Sequence, residues 1–67
     1  MNNVEKVKTI TTTEAAKILG KSADFIRVGL QLNRFPFGTA VPPKKKGGRW
    51  NYIIIESSFL EYAGIKN

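Results

Sequence analysis

Apolar residues recur at helical spacing shortly after a run of threonines near the N-terminus. They fall on one face of a helix at relative positions 0, 3 and 4, namely Ala15, Ile18 and Leu19. Thr11 and Glu14 form a Thr-x-x-Glu capping box, in which each side chain bonds the backbone N–H of the other residue. Gly20 can adopt the left-handed conformation that commonly ends a helix. The pattern therefore predicts a short first helix between Thr11 and Gly20.

A second helix is predicted over residues 23–33, with Ser22 as its N-cap. Ile26 and Leu30 are four residues apart and should face the first helix. Gly29 lies in the middle, where glycine costs about 1 kcal/mol relative to alanine, so we expect a close approach to the backbone there. Further apolar residues, which must contact strands, DNA or another protein, are Phe25, Val28 and Leu32.

The C-terminal half has the pattern of a hairpin followed by a last helix. Residues 37–41 can form a strand that Pro42 and Pro43 end, and residues 50–55 form an aromatic and β-branched strand. The loop over residues 44–49 contains Gly47 and Gly48, from which we expect positive φ angles. Residues 56–58 have the pattern of a turn or cap. A short helix then runs from Phe59 and ends at Gly64.

The N-terminal residues 1–9 are polar and mixed in charge, which predicts a flexible arm with a short extended segment near residues 8–10. The remaining residues 10–64 form one predicted α+β domain, since 67 residues hold one domain at most. No apolar run approaches the ~20 residues of a membrane span, and no signal peptide is evident. We therefore expect a cytoplasmic protein with no membrane partner.

Charge and composition narrow the function further. The net charge of +6 and the pI of about 10.0 favour a polyanionic partner, because phosphate contacts release counterions. The chain has no cysteine and no histidine, so the commonest metal ligands and the commonest general base are missing. Its five carboxylates are dispersed. We therefore expect no enzyme, no metal site and no cofactor.

The second helix carries the candidate base contacts. Arg27 can bind guanine or a phosphate through two hydrogen bonds, and Gln31, four residues later, can bind adenine in the same way. The alternative is that both are ordinary solvated residues. Asp24 shares their stripe and is a further candidate at base edges. Phe25 is either a contact to a thymine methyl group or a core residue.

Candidate phosphate contacts lie at the helix entrances and in the loop of the hairpin. Backbone N–H groups at a helix N-terminus bind phosphate, and the candidates near these entrances are Thr12, Lys17, Lys21 and Ser22. The loop holds four cations within six residues: Lys44, Lys45, Lys46 and Arg49. The alternative for these cations is a solvated loop that protects a hairpin edge. Trp50 is a candidate stacking platform, but at the start of a strand tryptophan is more often a core or hairpin anchor.

Three segments together resemble excisionase-type and MerR-like DNA-binding domains. Residues 10–22 (ITTTEAAKILGKS) resemble their opening helix and turn, residues 48–50 (GRW) their wing, and residues 59–62 (FLEY) the closing helix of the excisionase type. The stretches FIRVGLQ and PFGTAV between them are similar to small DNA-binding proteins of phages and mobile elements in Gram-positive bacteria.

The resemblance implies a small winged helix-turn-helix, with the second helix in the major groove and the wing on the minor groove or backbone. Arg27 matches the helix arginine that commonly contacts DNA, and Arg49 matches the wing arginine. Members of the family bend DNA and direct an integrase toward excision, or act as small transcriptional regulators, and many bind repeated sites cooperatively. The prolines and extra lysines make this wing longer than the common one, and we expect no tail of the kind that recruits integrase after Asn67.

We therefore expect a sequence-specific double-stranded DNA-binding protein, an excisionase that associates with itself on DNA and works with an integrase. One alternative is a MerR-like transcriptional regulator. Another is a protein-interaction module that docks on a repressor or integrase through an apolar surface on and after the second helix, made of Phe25, Val28, Leu32, Phe35 and Phe37.

Overall fold

Two helices, a hairpin and a last helix follow one another in the computed structural model, which describes residues 7–65. The elements are β1 (Thr9–Ile10), α1 (Thr12–Leu19), α2 (Ala23–Gln31), β2 (Gly38–Val41), β3 (Asn51–Ile55) and α3 (Glu56–Ala63). This is the predicted α+β fold: a helix-turn-helix, a hairpin that forms the wing, and a short closing helix. None of the helices within residues 7–65 has the length and apolar character to cross a membrane.

The three strands form one antiparallel sheet in the order β1-β3-β2. β2 pairs with β3 from Gly38 opposite Ile54 to Val41 opposite Asn51. Thr9 and Ile10 pair with the other edge of β3, which confirms the extended segment expected there. Thr9 therefore lies in the sheet, and residues 1–6 of the predicted flexible arm lie outside the described residues.

The core joins both helices of the helix-turn-helix to the sheet and α3. Its buried members are Ala15, Ala16, Ile26, Leu30, Phe37, Ile54 and Phe59. Ile26 and Leu30 lie in the same cluster as the two alanines of α1, as predicted. Ile18, which was predicted to share one apolar face with Ala15 and Leu19, is 46% exposed. The buried residues of α1 are the small Ala15 and Ala16, which lie in the core cluster with the two buried residues of α2.

Each helix ends with a left-handed residue and the paired backbone bonds of a Schellman motif. Gly20 takes this position after α1 with φ 71°, as predicted, and Gly64 takes it after α3 with φ 77°. α2 ends before the predicted residue 33 because Asn33 is itself left-handed, with φ 57°. The Arg34 N–H donates to the Gly29 carbonyl at 2.8 Å and closes this motif.

α3 begins directly after β3, so the prediction of a turn or cap over residues 56–58 was wrong. Ile55 occupies the N-cap position and makes no side-chain cap bond. The Glu56 N–H donates instead to the Lys8 carbonyl at 2.9 Å. The segment before β1 thus satisfies one of the free donors at the start of α3, where no side chain makes a cap bond.

Candidate nucleic-acid interface

α2 presents two different faces away from the core. The polar face consists of Asp24, Arg27 and Gln31, and the apolar face consists of Phe25, Val28 and Leu32. Both result from the helical repeat, because the buried Ile26 and Leu30 turn the remaining positions outward. Three of the predicted DNA contacts therefore share one face, and Phe25 belongs to the other.

Arg27 is held by side chains on two sides. Its Nη1 donates to the Thr12 Oγ1 of α1 at 3.5 Å, and its Nη2 donates to the Asp24 Oδ1 one turn earlier in α2. The Arg27 side chain is 38% exposed, whereas that of Asp24 is 82% exposed. The structure thus brings Thr12, Asp24 and Arg27 together, and a guanidinium with five N–H donors keeps donors free for a ligand.

Gln31 is held by the sheet. Its Nε2 donates to the Tyr52 hydroxyl of β3 at 2.6 Å, which joins the polar face of α2 to the strand that follows the wing. Sequence reasoning attached no function to Tyr52. The available signal was its position two residues before the buried Ile54, because alternate residues of a strand share one face.

The entrance to α2 is capped as predicted: the Ser22 Oγ accepts the Phe25 N–H at 3.1 Å. Lys21 places its Nζ 5.6 Å from the centre of the Phe25 ring. Phe25 is 47% exposed and its ring lies 5.8 Å from that of Phe35. The suggested core role of Phe25 was therefore wrong, and it is an exposed aromatic beside a lysine.

The entrance to α1 already carries a negative charge. The Glu14 Oε1 accepts the Thr11 backbone N–H at 2.9 Å, and the Thr11 Oγ1 accepts the Glu14 N–H at 3.0 Å, which confirms the capping box. A carboxylate at this position disfavours a phosphate there. The Thr12 hydroxyl, predicted to face a phosphate, accepts a hydrogen bond from Arg27 and keeps its own O–H as a donor.

The wing is the segment over residues 42–50, between β2 and β3. Its turn is closed by the Gly48 N–H, which donates to the Lys45 carbonyl at 3.1 Å, and Gly47 has the positive φ that such a turn requires, 82°. Gly48 does not share it, contrary to expectation. Glycine is required at position 48 because a Cβ there would lie 2.8 Å from the Pro43 Cβ.

The cations of the wing are exposed, and none of them has an acidic partner among residues 7–65. Within residues 7–65 the ion pairs are Lys8–Glu56 and Arg27–Asp24. Exposed side chains without an ion pair in this range include Lys44, Lys45, Lys46 and Arg49. Trp50 is 39% exposed beside them, so it is not a core residue. The wing thus carries a concentrated positive charge.

The apolar face of α2 continues onto the Phe35 ring, which explains Gly29. A Cβ at position 29 would lie 2.1 Å from the Phe35 Cε2, so the expected close approach is confirmed. The Phe35 ring stacks on Phe37 with the ring centres 4.9 Å apart. Phe37 itself is 1% exposed, so its predicted place on a docking surface was wrong.

Comparison of the chain with protein-family models, with curated proteins and with solved structures finds no match. The case for a function therefore rests on the geometry of α2 and the wing.

Proposed function

We propose that this protein binds double-stranded DNA sequence-specifically, with α2 in the major groove and the wing on the adjacent backbone. The observation that carries the proposal is the hydrogen bond between Gln31 and Tyr52, which joins the polar face of α2 to the strand leaving the wing. Arg27 and Gln31 supply the donors and acceptors that guanine and adenine match. The wing supplies exposed cations for phosphates.

We propose more specifically that the protein is an excisionase of a phage or mobile element. In this role it would act in the cytoplasm, bend DNA and direct an integrase. A small transcriptional regulator is the alternative within the same DNA-binding class. Both roles describe a binding protein and not an enzyme, and they differ in where the target sites lie.

Selection of random and native DNA fragments on the purified protein at about 150 mM salt tests the binding itself. We expect enrichment of a short repeated motif, because the donors on α2 discriminate between base pairs. A motif beside an attachment site favours excision, and a motif beside a promoter favours transcription control. Uniform retention that is lost with added salt contradicts sequence-specific binding.

Salt dependence tests the role of the wing. Replacement of Lys44, Lys45 and Lys46 by glutamine should reduce the slope of log affinity against log salt by up to about 3, since each lost phosphate contact removes about 0.9. Lys8→Gln, at an exposed lysine outside the candidate phosphate contacts, is the single-site control and should leave the slope nearly unchanged. An unchanged slope in the triple variant means that these lysines serve only solubility.

A second candidate function, self-association on DNA, is favoured by the apolar face of α2. Val28 is 51% and Leu32 is 60% exposed. A stable interface buries about 800 Å² of surface on each partner, and three partly exposed side chains offer far less surface than this. In addition, two copies that each carry a charge of +6 repel each other in free solution. We therefore propose that the occupant is a second copy on an adjacent DNA site, where phosphates neutralise this repulsion.

Binding to DNA with one site and with two adjacent sites tests this candidate. Leu32→Ser should keep the single-site affinity and lose the cooperative gain on the double site. Ile18→Ser, a matched change at an apolar residue of α1 that is 46% exposed, should keep that gain. Equal cooperativity in both variants contradicts the assignment of the contact to α2.

A further inference from the structure

Both candidate base contacts of α2 are held by side chains that belong to different parts of the molecule. Arg27 is bonded by Thr12 from α1 and by Asp24 from its own helix, and Gln31 is bonded by Tyr52 from β3. Bidentate contacts to base edges require a fixed orientation, whereas a phosphate is bound by charge in many orientations. The hydrogen bonds that orient Arg27 and Gln31 should therefore matter more for base recognition than for phosphate binding.

The charge of Asp24 adds a second effect. Its carboxylate is 82% exposed on the face that the proposed function directs into the groove, and it lies against the Arg27 guanidinium. An exposed carboxylate repels a phosphate, and it accepts hydrogen bonds from few base groups other than the cytosine amino group. Arg27 paired with Asp24 is therefore a poor general phosphate ligand, but its remaining donors keep a fixed direction.

We propose that Asp24 and Tyr52 are positioning residues that set sequence specificity, Asp24 by orienting Arg27 away from phosphates and Tyr52 by orienting the Gln31 amide. This inference rests on the proposed DNA binding. It reassigns Asp24 from a base contact to a residue that acts through Arg27, and it gives Tyr52 a function beyond its place in β3. The two residues act on different base pairs of the site.

Tyr52 acts on the amide alone. Its hydroxyl occupies one N–H of Gln31 and leaves the second N–H and the carbonyl oxygen, the pair that an adenine requires. Phenylalanine at position 52 keeps the ring and removes only this bond. The consequence is confined to the base pair that faces Gln31.

The test compares affinities for the selected motif and for scrambled DNA of the same length, at two salt concentrations. Asp24→Asn should weaken binding to the motif and tighten binding to scrambled DNA, so that their ratio falls about tenfold, with a steeper salt dependence. Glu61→Gln removes one exposed negative charge on α3 and is the matched control. It should strengthen both affinities equally and leave their ratio unchanged.

Tyr52→Phe should lower discrimination at one base pair about tenfold and leave scrambled DNA unaffected. Asp24→Glu, which keeps the charge next to Arg27, should keep most of the wild-type ratio. Thermal unfolding of each variant separates these effects from loss of the fold. If Asp24→Asn and Glu61→Gln have the same ratio of motif affinity to scrambled-DNA affinity, the role of Asp24 is overturned. If Tyr52→Phe shows no selective loss of discrimination at one base pair, the role of Tyr52 is overturned. A wild-type protein without any sequence preference overturns the proposed function, and this inference with it.

Discussion

The helix-turn-helix and the wing both carry candidate DNA contacts, but they are built in different ways. In the helix-turn-helix, α1 and α2 have side-chain N-caps, and Arg27 and Gln31 are bonded to neighbouring elements. In the wing, residues 42–50 are exposed apart from the half-buried Pro43, and one backbone bond closes the turn. One region is shaped by packing and the other by proline and glycine.

This difference matches two kinds of nucleic-acid contact. Base recognition depends on the direction of donors and acceptors, which a packed scaffold can hold. Phosphate contacts depend mainly on charge and tolerate movement of long side chains. We therefore propose that the helix-turn-helix supplies specificity and the wing supplies general affinity. The following variants test this proposal and the difference in packing on which it rests.

The largest expected effect is on the core beneath α2. Phe37→Ala should lower the free energy of unfolding by about 3–5 kcal/mol, since its buried ring contacts Phe35, Phe59 and Tyr62. Urea denaturation followed by circular dichroism measures the loss. Phe25→Ala, at a half-exposed ring outside the core, should lose much less. Equal losses contradict the assignment of Phe37 to the core.

Next is specific binding. Arg27→Ala should weaken binding to the selected motif by about 1–3 kcal/mol and relax the preference at one base pair. Arg34→Ala, at an exposed arginine beside the apolar face, should change the binding affinity for all DNA sequences by the same factor. Binding titrations on the motif and on singly substituted sites distinguish the two. If Arg27→Ala binds the motif as tightly as the wild-type protein, the proposal that α2 lies in the major groove is contradicted.

A smaller loss is expected where α2 meets Phe35. Gly29→Ala gains about 1 kcal/mol of helix propensity, but overpacking against the ring costs about 1–3 kcal/mol, so we expect a net loss of up to about 2 kcal/mol. The same substitution in a Phe35→Leu background should be less harmful, which a double-mutant cycle by urea denaturation measures. A stabilised Gly29→Ala single variant means that the ring moves aside freely.

The smallest effect on stability belongs to the wing. Replacement of Lys44, Lys45 and Lys46 by glutamine should change the free energy of unfolding by no more than about 0.5 kcal/mol, because these exposed side chains make no ion pair within residues 7–65. Thermal unfolding without DNA gives the value. A marked destabilisation shows that the wing lysines support the fold.

Local chemistry in the sequence was sufficient for much of the fold. The capping box at Thr11 and the left-handed residue Gly20 depend on neighbours within a few positions, and both were predicted correctly. The strand β3 and the buried Ile26 and Leu30 followed from composition and spacing. Such features need no knowledge of the tertiary structure.

The contacts of the candidate site depend on residues far apart in the chain, and these were missed. Tyr52 lies 21 residues from Gln31, and Thr12 lies 15 residues from Arg27. No periodicity indicates such pairs. The exposure of Ile18 was missed for a similar reason, since helical spacing gives a face but not which residues of that face the next helix covers.

The approach of Phe35 to Gly29 has a consequence for the history of the sequence. Because the ring occupies the space of a Cβ at position 29, one order of change at the two positions is less costly than the other. A side chain at position 29 costs less stability after the ring at position 35 has become smaller. Among descendants of a common ancestor, substitutions at these two positions should therefore occur together, with the loss of the ring preceding the loss of the glycine.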